Sequence, residues 1–350
     1  MYAESISYNV SEGKDIVNVG NDSGYSETGG FMYLTSGTNK NASVNFNVAN
    51  NASLTIGKDG ESDGYDSIAG DSQATITKTG AGKLVVNGSM DYFTETLNVD
   101  VGVMEANNGL GAKAINIANG ATLGLQINGN NTLSNSSLVF TNNGTLILTS
   151  KVGLASGDYT VSAADIEDYG ATKTYGGALS GNTFTVAQAK QIEAGSEAVA
   201  VEVAKNGIVE VKSGEATTVA MAFNTESAVV NKVLEVTDSL AEFAQSTGAD
   251  FAKMGAFEFD VDMTEGDTVV LSFYVGDSTL TASDFSIFHK ADGGQWEAGD
   301  VSNVSYDGAF LSFVVSHFSS YGYTAVPEPA EWAAIFGALA LGFAIYRRRK

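Results

Sequence analysis

Val44-Asn-Phe-Asn-Val-Ala-Asn-Asn-Ala-Ser-Leu-Thr-Ile56, Ile115-Asn-Ile-Ala-Asn-Gly-Ala-Thr-Leu-Gly-Leu125 and Leu138-Val-Phe-Thr-Asn-Asn-Gly-Thr-Leu-Ile-Leu148 share one design: a strand, a small polar corner and a second strand. A weaker copy is Val203-Ala-Lys-Asn-Gly-Ile-Val-Glu-Val211, and Gly20-Asn-Asp-Ser-Gly-Tyr25 has a twin in Gly60-Glu-Ser-Asp-Gly-Tyr65. Asn and Gly tolerate positive φ and so let the chain bend sharply between strands. Antiparallel hairpins would place Asn119-Gly120 and Asn143-Gly144 in type I′ turns. Stacked parallel rungs would instead place them at the bends of a solenoid. Similarity from copy to copy favours the second, and the pattern predicts an N-terminal parallel β-helix (β-solenoid) over residues 1–213.

Composition agrees with an all-β chain. The 350 residues include 40 Gly, 2 Pro and no Cys, and 43% are hydrophobic. That apolar fraction is too high for a disordered chain. Lack of cysteine excludes disulfide frameworks, thiolate zinc sites and cysteine nucleophiles. With 41 acidic against 18 basic residues the formal net charge is -23, which repels the phosphates of nucleic acid. Nucleic acid is therefore excluded as a partner.

From about Lys212 the texture changes. Asp238 stands as a helix N-cap before Ser239-Leu-Ala-Glu-Phe-Ala-Gln-Ser, predicting a short helix near 238–247. Then Phe257, Phe259, Val261 and Met263 alternate with polar residues, as do Val269, Leu271, Phe273 and Val275, and later Phe285 and Ile287. Period-two runs separated by Glu-Gly-Asp, Asp-Gly-Gly and Asp-Gly turns predict an antiparallel β-sandwich over 214–325. Trp296-Glu297 and Ser316-His-Phe-Ser-Ser-Tyr321 resemble the closing strands of β-sandwich modules in bacterial surface proteins, with Gly322 where alanine is more usual.

Two further segments carry family resemblances. Ile76-Thr-Lys-Thr-Gly-Ala-Gly-Lys-Leu-Val-Val-Asn-Gly88, continuing through Tyr92, Thr96, Leu97, Val99, Gly102, Met104 and Glu105, resembles the autotransporter-associated β-strand repeat over residues 76–106. Glu95 replaces that pattern's glycine after Phe93-Thr94. The resemblance implies a right-handed parallel β-helix rung. It does not by itself imply an autotransporter, because no run of alternating strands suited to a membrane barrel is predicted.

The last 25 residues, 326–350, hold both prolines, in Val326-Pro327-Glu328-Pro329. An uncharged stretch follows: Trp332, Ala333, Ala334, Ile335, Phe336, Gly337, Ala338, Leu339, Ala340, Leu341, Gly342, Phe343, Ala344, Ile345 and Tyr346. As a helix it spans roughly 22 Å, short of the ~30 Å hydrocarbon core, so its flanks carry the reading. Trp332 and Tyr346 stand where interfacial aromatics stand, and Arg347, Arg348, Arg349 and Lys350 act as a cytoplasmic stop. The alternative is a buried C-terminal helix. Pro-Glu-Pro, an apolar helix and a basic end resemble a PEP-CTERM sorting signal. That resemblance implies export, transient inner-membrane anchoring by a C-terminal transmembrane helix, cleavage by an exosortase-type enzyme, and delivery to the cell surface or extracellular matrix, with exopolysaccharide a partner there. Met1-Tyr2-Ala3-Glu4-Ser5 has no basic or apolar leader character, so a signal peptide removed upstream is expected. Loss of the four terminal cations would leave 14 basic against up to 41 acidic residues.

Catalytic patterns are weak. Gly60-Glu61-Ser62-Asp63-Gly64 has the letters of a nucleophile elbow without the helix or nearby histidine that chemistry needs. Gly80-Ala-Gly-Lys83 lacks the first glycine and the Ser or Thr of a phosphate loop, since Thr77 and Leu84 stand there. His289 and His317 are expected as core or strand-edge residues, and Asp260 and Asp262 as the exposed side of a strand rather than a glycan-cleaving pair. Asp59, Glu61, Asp63 and Asp66 alternate through a glycine-rich loop as calcium ligands do, although Gly70 stands where a bidentate Glu would complete the loop. Its twin at Asn21, Asp22 and Glu27 is poorer in oxygens. No other cofactor is expected.

The sequence thus describes a non-enzymatic, acidic, exported, adhesin-like protein with no catalytic residue. The alternatives are a polysaccharide-acting β-helix enzyme, which would stack Asp, Arg or Lys on neighbouring rungs, and a glycan-binding protein presenting Trp296 on an exposed platform. Changing Asp59, Glu61, Asp63 and Asp66 together to Asn or Gln should leave thermal unfolding unchanged and weaken calcium-dependent association with cells. Retention indifferent to chelator in the unmodified protein would overturn the calcium reading.

Overall fold

The computed structural model describes residues 5–10, 14–17, 31–34, 43–50, 52–56, 67–70, 74–130, 132–133, 144–162, 166, 171–195, 198–246, 253–277, 280 and 282–325. Within them the chain is all-β with one short helix. The N-terminal strands run β1 (Ser5–Val10), β2 (Lys14–Val17), β3 (Phe31–Leu34), β4 (Ser43–Val48), β5 (Ser53–Ile56), β6 (Ser67–Gly70), β7 (Thr75–Thr79), β8 (Lys83–Met90), β9 (Thr96–Val99), β10 (Val103–Leu110), β11 (Ala114–Ile117), β12 (Thr122–Ile127) and β13 (Thr145–Ser150). β3 and β6 pair in parallel as a separate two-stranded sheet, and the other strands feed two larger sheets. One has the order β1-β4-β7-β9-β11, and the other includes β13-β12-β10-β8-β5-β2. Each pairing between neighbours in these two orders is parallel. Asn119-Gly120 therefore joins strands of different sheets, β11 and β12, and closes no hairpin.

Parallel registration places like residues over like. In the first sheet Val44, Ile76, Leu97 and Ile115 form one inward column. In the second, Leu54, Leu84, Met104, Leu123 and Leu146 form another, and Ile56, Val86, Ala106, Leu125 and Leu148 a third. All are buried in one core. Because each Leu or Ile so placed contributes about 1.5–3 kcal/mol, the columns and not the polar corners hold this part together.

Corners must then be thin. A Cβ on Gly82 would lie 2.2 Å from the Ala49 carbonyl oxygen, and one on Gly102, which has φ +78°, would lie 2.5 Å from the Gly82 oxygen. The backbone also pairs there, with Gly82 N–H donating to Val48 O at 2.9 Å and Thr122 N–H to Gly102 O at 2.9 Å. Glycine is thus required because one corner sits directly on the next.

Beyond β13 come β14 (Gly157–Thr160), β15 (Ala171–Tyr175), β16 (Gly177–Ser180) and β17 (Thr183–Val186). β15 extends the second parallel sheet, while β14, β17 and β16 form a small antiparallel sheet. Phe184 and Val186 of β17 enter the same core as the parallel columns.

The remaining elements are β18 (Ala189–Glu193), β19 (Val201–Val203), β20 (Ile208–Ser213), β21 (Ala216–Asn224), β22 (Ala228–Glu235), α1 (Thr237–Ser246), β23 (Lys253–Met263), β24 (Thr268–Tyr274), β25 (Phe285–Lys290), β26 (Glu297–Ala298), β27 (Ser302–Tyr306), β28 (Phe310–Val315) and β29 (Ser320–Ala325). They make two six-stranded sheets, β18-β20-β21-β24-β28-β27 and β19-β22-β23-β29-β25-β26. β18 pairs β20 in parallel, whereas the remaining pairings of these sheets are antiparallel. Between the sheets lie packed aromatics, with Phe257 5.8 Å and Phe259 6.2 Å from Phe273, and Phe313 6.0 Å from Tyr321.

Residues 189–213, grouped by sequence with the N-terminal region, thus pair with the later strands. The copy Val203–Val211 reads like a rung because a corner and a turn use the same letters. Here Asn206, at φ 50°, turns the chain from β19 in one sheet to β20 in the other. The predicted short helix forms as α1, with Asp238 in its first turn. The predicted C-terminal helix lies outside the described residues.

Gly120 also has positive φ, at +81°, but open space around its Cβ position. Gly120→Ala should therefore cost only the backbone strain of about 1 kcal/mol, whereas Gly102→Ala adds a clash worth about 1–3 kcal/mol more. Urea denaturation checks the difference, and equal losses would mean that the corners do not touch.

Candidate functional site

The outward side of the first sheet answers the question of stacked charges. In register, Ser43, Thr75, Thr96 and Ala114 make one row, and Asn45, Thr77, Asn98 and Asn116 the next; Asn47 and Thr79 begin a third. All ten are at least partly exposed, alternating with buried neighbours. None is charged. Asn116 Nδ2 donates to Asn98 Oδ1 at 2.7 Å, Asn98 Nδ2 to Thr77 Oγ1 at 3.4 Å, and Thr79 Oγ1 to Asn45 Oδ1 at 2.9 Å. The alternation of small polar and aliphatic residues builds this ladder directly, because side chains on successive residues point to opposite faces.

A lysine breaks the inward pattern. Lys78 stands in register between Phe46 and Val99 and is fully buried. Its Nζ donates to the carbonyls of Thr79 at 2.8 Å, Gly80 at 2.7 Å and Val101 at 3.0 Å. The amine thereby caps the carbonyls that a tight corner turns inward, while its stem fills the column. Burial pushes the Lys78 ammonium down to about 8.

The second parallel sheet is covered by the later domain. Lys83 Nζ meets Glu105 Oε1 at 2.8 Å and also donates to the carbonyl of Val304 on β27. Gly124, in register with Glu105, leaves the carboxylate room, since a Cβ there would lie 3.0 Å from Glu105 Cγ. Burial pushes Glu105 up and Lys83 down, each opposed by the other's charge. Glu105 Oε2 has no partner and is buried, beside a cavity of about 60 Å³ that Gln126, Ser272, Ser305 and Ser312 also line. The contact continues through Tyr175 Oη and Thr268 Oγ1 at 2.8 Å and Asn224 Nδ2 donating to Thr174 O at 3.0 Å. Lys83, the lysine of the phosphate-loop letters, is thus an interdomain residue.

Trp296 is buried against Leu240 and Ala256, and its Nε1 donates to Ser239 Oγ at 3.2 Å. It offers no exposed platform, which removes the glycan-binding reading built on it. His289 and His317 meet edge to face, 5.0 Å between ring centres. His289 Nε2 lies 2.6 Å from Ser319 Oγ. Burial, then the neighbouring His317, holds His289 below the usual histidine range, opposed by Glu297. The Glu297 carboxylate is 3.9 Å from Nδ1 and 73% exposed, too distant to hold an imidazole by the short hydrogen bond of a catalytic triad. Asp260 and Asp262 are exposed, with Asn231 Nδ2 at 3.3 and 2.9 Å from their oxygens.

Asp59, Glu61, Asp63 and Asp66 lie outside the described residues, as do Val326–Pro329, Trp332–Tyr346 and Arg347–Lys350. Among the described residues no group of three His, Asp or Glu could hold a metal ion, and no helix is long and apolar enough to cross a membrane. Sequence reasoning missed Lys78, whose signal was a lysine on the inward phase of an otherwise clean alternation. It also missed the Lys83–Glu105 pair, for which no local signal existed.

Over 77 residues, 22% of its length, the chain is 39% identical to the probable autotransporter YfaL of Escherichia coli (strain K12). The chain spans 6% of that protein. No family model matches the chain, and no solved structure matches it.

Lys78→Met should destabilise the chain by about 2–4 kcal/mol by leaving buried carbonyls without a donor. Because the folded state lowers this amine's pKa, the charged form's burial cost is relieved above about pH 8. The unfolded chain holds its proton until about pH 10.5, so stability rises over that window. The gap between the parent chain and Lys78→Met should therefore widen between pH 7 and 10, as urea midpoints would show. A constant gap would place the amine in water.

Proposed function

We propose that this chain is an exported structural or adhesive protein of the cell surface or extracellular matrix, built as a β-solenoid stalk, a β-sandwich spacer and a removable PEP-CTERM tail. One observation carries the reading: the open side of the first parallel sheet bears rows of Ser, Thr and Asn where a β-helix enzyme would stack Asp, Arg or Lys. The similarity over 77 residues to a probable autotransporter supports surface exposure. The tail motif Val326–Pro329, the apolar run Trp332–Tyr346 and the basic stop Arg347–Lys350 support sorting by an exosortase after inner-membrane anchoring.

The physical logic is one of passive strength. Stacked aliphatic columns lengthen a stalk without new chemistry, because each rung buries the face of the one before. The sandwich clamps one flank of that stalk through the Lys83–Glu105 pair and the Tyr175 contact. An acidic surface keeps such a rod soluble and separate from other acidic polymers. Calcium at Asp59, Glu61, Asp63 and Asp66 would be the route by which it associates with them.

Protease shaving of whole cells should remove the protein, and mass spectrometry should place its mature C-terminus near Pro327–Pro329 in cells that hold an exosortase. In cells lacking that enzyme the basic end, Arg347–Lys350, should be retained. Purified protein should release no reducing ends from common polysaccharides. Depolymerisation that is lost when Glu105 becomes Gln would replace this reading with the enzyme.

A further inference from the structure

We propose that the open face of β4, β7, β9 and β11 is a docking surface for a linear, uncharged polysaccharide. The inference rests on the surface-protein reading and assigns the partner and the face. The two parallel sheets differ in fate. The outward side of β8, β10, β12 and β13 is packed under β24, β27 and β28, whose Val270, Ser272, Ser305 and Val314 line the joint. The outward residues of the other sheet keep partial exposure in β4, β7, β9 and β11.

Charge selects among occupants. The chain carries -23 overall, while the rows through Thr77, Asn98 and Asn116 carry none. Acidic polymers are repelled by the surrounding surface, and cationic ones are drawn to the carboxylates elsewhere. Only a neutral partner gains by choosing this face. Size selects further. The five strands of this sheet, about 4.8 Å apart and each with two or three outward residues about 6.7 Å apart, make a footprint of roughly 400 Å². A stable protein interface needs about 800 Å² per partner, so a second copy or another folded protein would not be held there. A linear glycan needs no such area. Hydroxyls and amides both donate and accept, as sugar hydroxyls do, so the match requires no ions. Each contact is weak without an aromatic platform, and affinity arises from one polymer crossing successive strands of the same repeat.

The test uses the full chain in co-sedimentation with insoluble neutral β-glucans, cellulose and curdlan, in the presence of chelator, with soluble alginate as the acidic probe in gel retardation. The double variant Thr77→Glu/Ala114→Glu puts two carboxylates on the face at outward positions. Lys205→Glu makes the same change in net charge at an exposed site on the sandwich, where the side chain is 61% exposed. Thermal melts of both variants confirm folding. The bound fraction should fall about tenfold in the double variant and stay within about twofold of the parent in the control, as expected when repeated weak contacts are lost together. Equal binding by the double variant would overturn the proposal, as would a parent chain that ignores neutral glucans, binds alginate alone or only self-associates. Protease shaving is independent of this result. A shaved chain that ignores glucans overturns the docking face and leaves the surface reading intact, whereas a chain that shaving cannot reach overturns that reading itself.

Discussion

In-register stacking of parallel strands is the constraint on which the rest of this molecule depends. Strands about 4.8 Å apart leave no room for a side chain where one corner sits directly on another. That single spacing explains why Gly82 and Gly102 sit over backbone carbonyls, and why Leu54, Leu84, Met104, Leu123 and Leu146 form an unbroken column. It also explains Lys78. A corner turned this tightly points carbonyl oxygens at the interior, and buried acceptors without donors are costly. An ammonium on an inward stem supplies three donors at one point, which no backbone amide could do.

The same stacking that fills the interior determines the exterior. Alternation leaves two flat sides, and the protein treats them oppositely. One becomes an interdomain contact where polar groups must be paired, with Lys83 shared between Glu105 and the Val304 carbonyl. A buried ion pair of this kind adds little net stability, yet removing one partner strands the other. The pair therefore fixes where the second domain sits more than how strongly it holds. The other side keeps its Asn and Thr ladder in contact with solvent, and it is there that a partner without charge can approach an otherwise strongly acidic molecule.

Aromatic packing carries the second domain in place of aliphatic columns. Phe257, Phe259, Phe273 and Phe313 interlock between two sheets, and the helix α1 closes over one flank through Leu240, with Trp296 tied to Ser239. Two residues that invite chemical readings in a sequence are drawn into that packing, Trp296 fully and His289 in part, while His317 stays exposed. Their ring nitrogens are taken up by neighbouring serines, Trp296 Nε1 donating to Ser239 Oγ and His289 Nε2 meeting Ser319 Oγ, as polar groups on large buried side chains require.

Period and corner chemistry were legible in the chain alone. Alternating Ser/Thr/Asn with Val/Ile/Leu determines which face of each strand is inside, and Gly or Asn-Gly marks where the chain bends, because both follow from local sterics. The short helix from Thr237 and the exposed Asp260 and Asp262 followed from the same local rules. What the sequence could not decide was which strands become neighbours. Val203–Val211 has the letters of a rung and pairs with the antiparallel sheets instead, since a turn is chemically the same whether it leads to the next rung or across a sandwich. Nor could it show that Lys83 and Glu105, 22 positions apart, meet under a strand that begins at Ser302. Only the tertiary structure decides which of two equally patterned faces is covered, because that choice is made by long-range packing and leaves no mark on local periodicity.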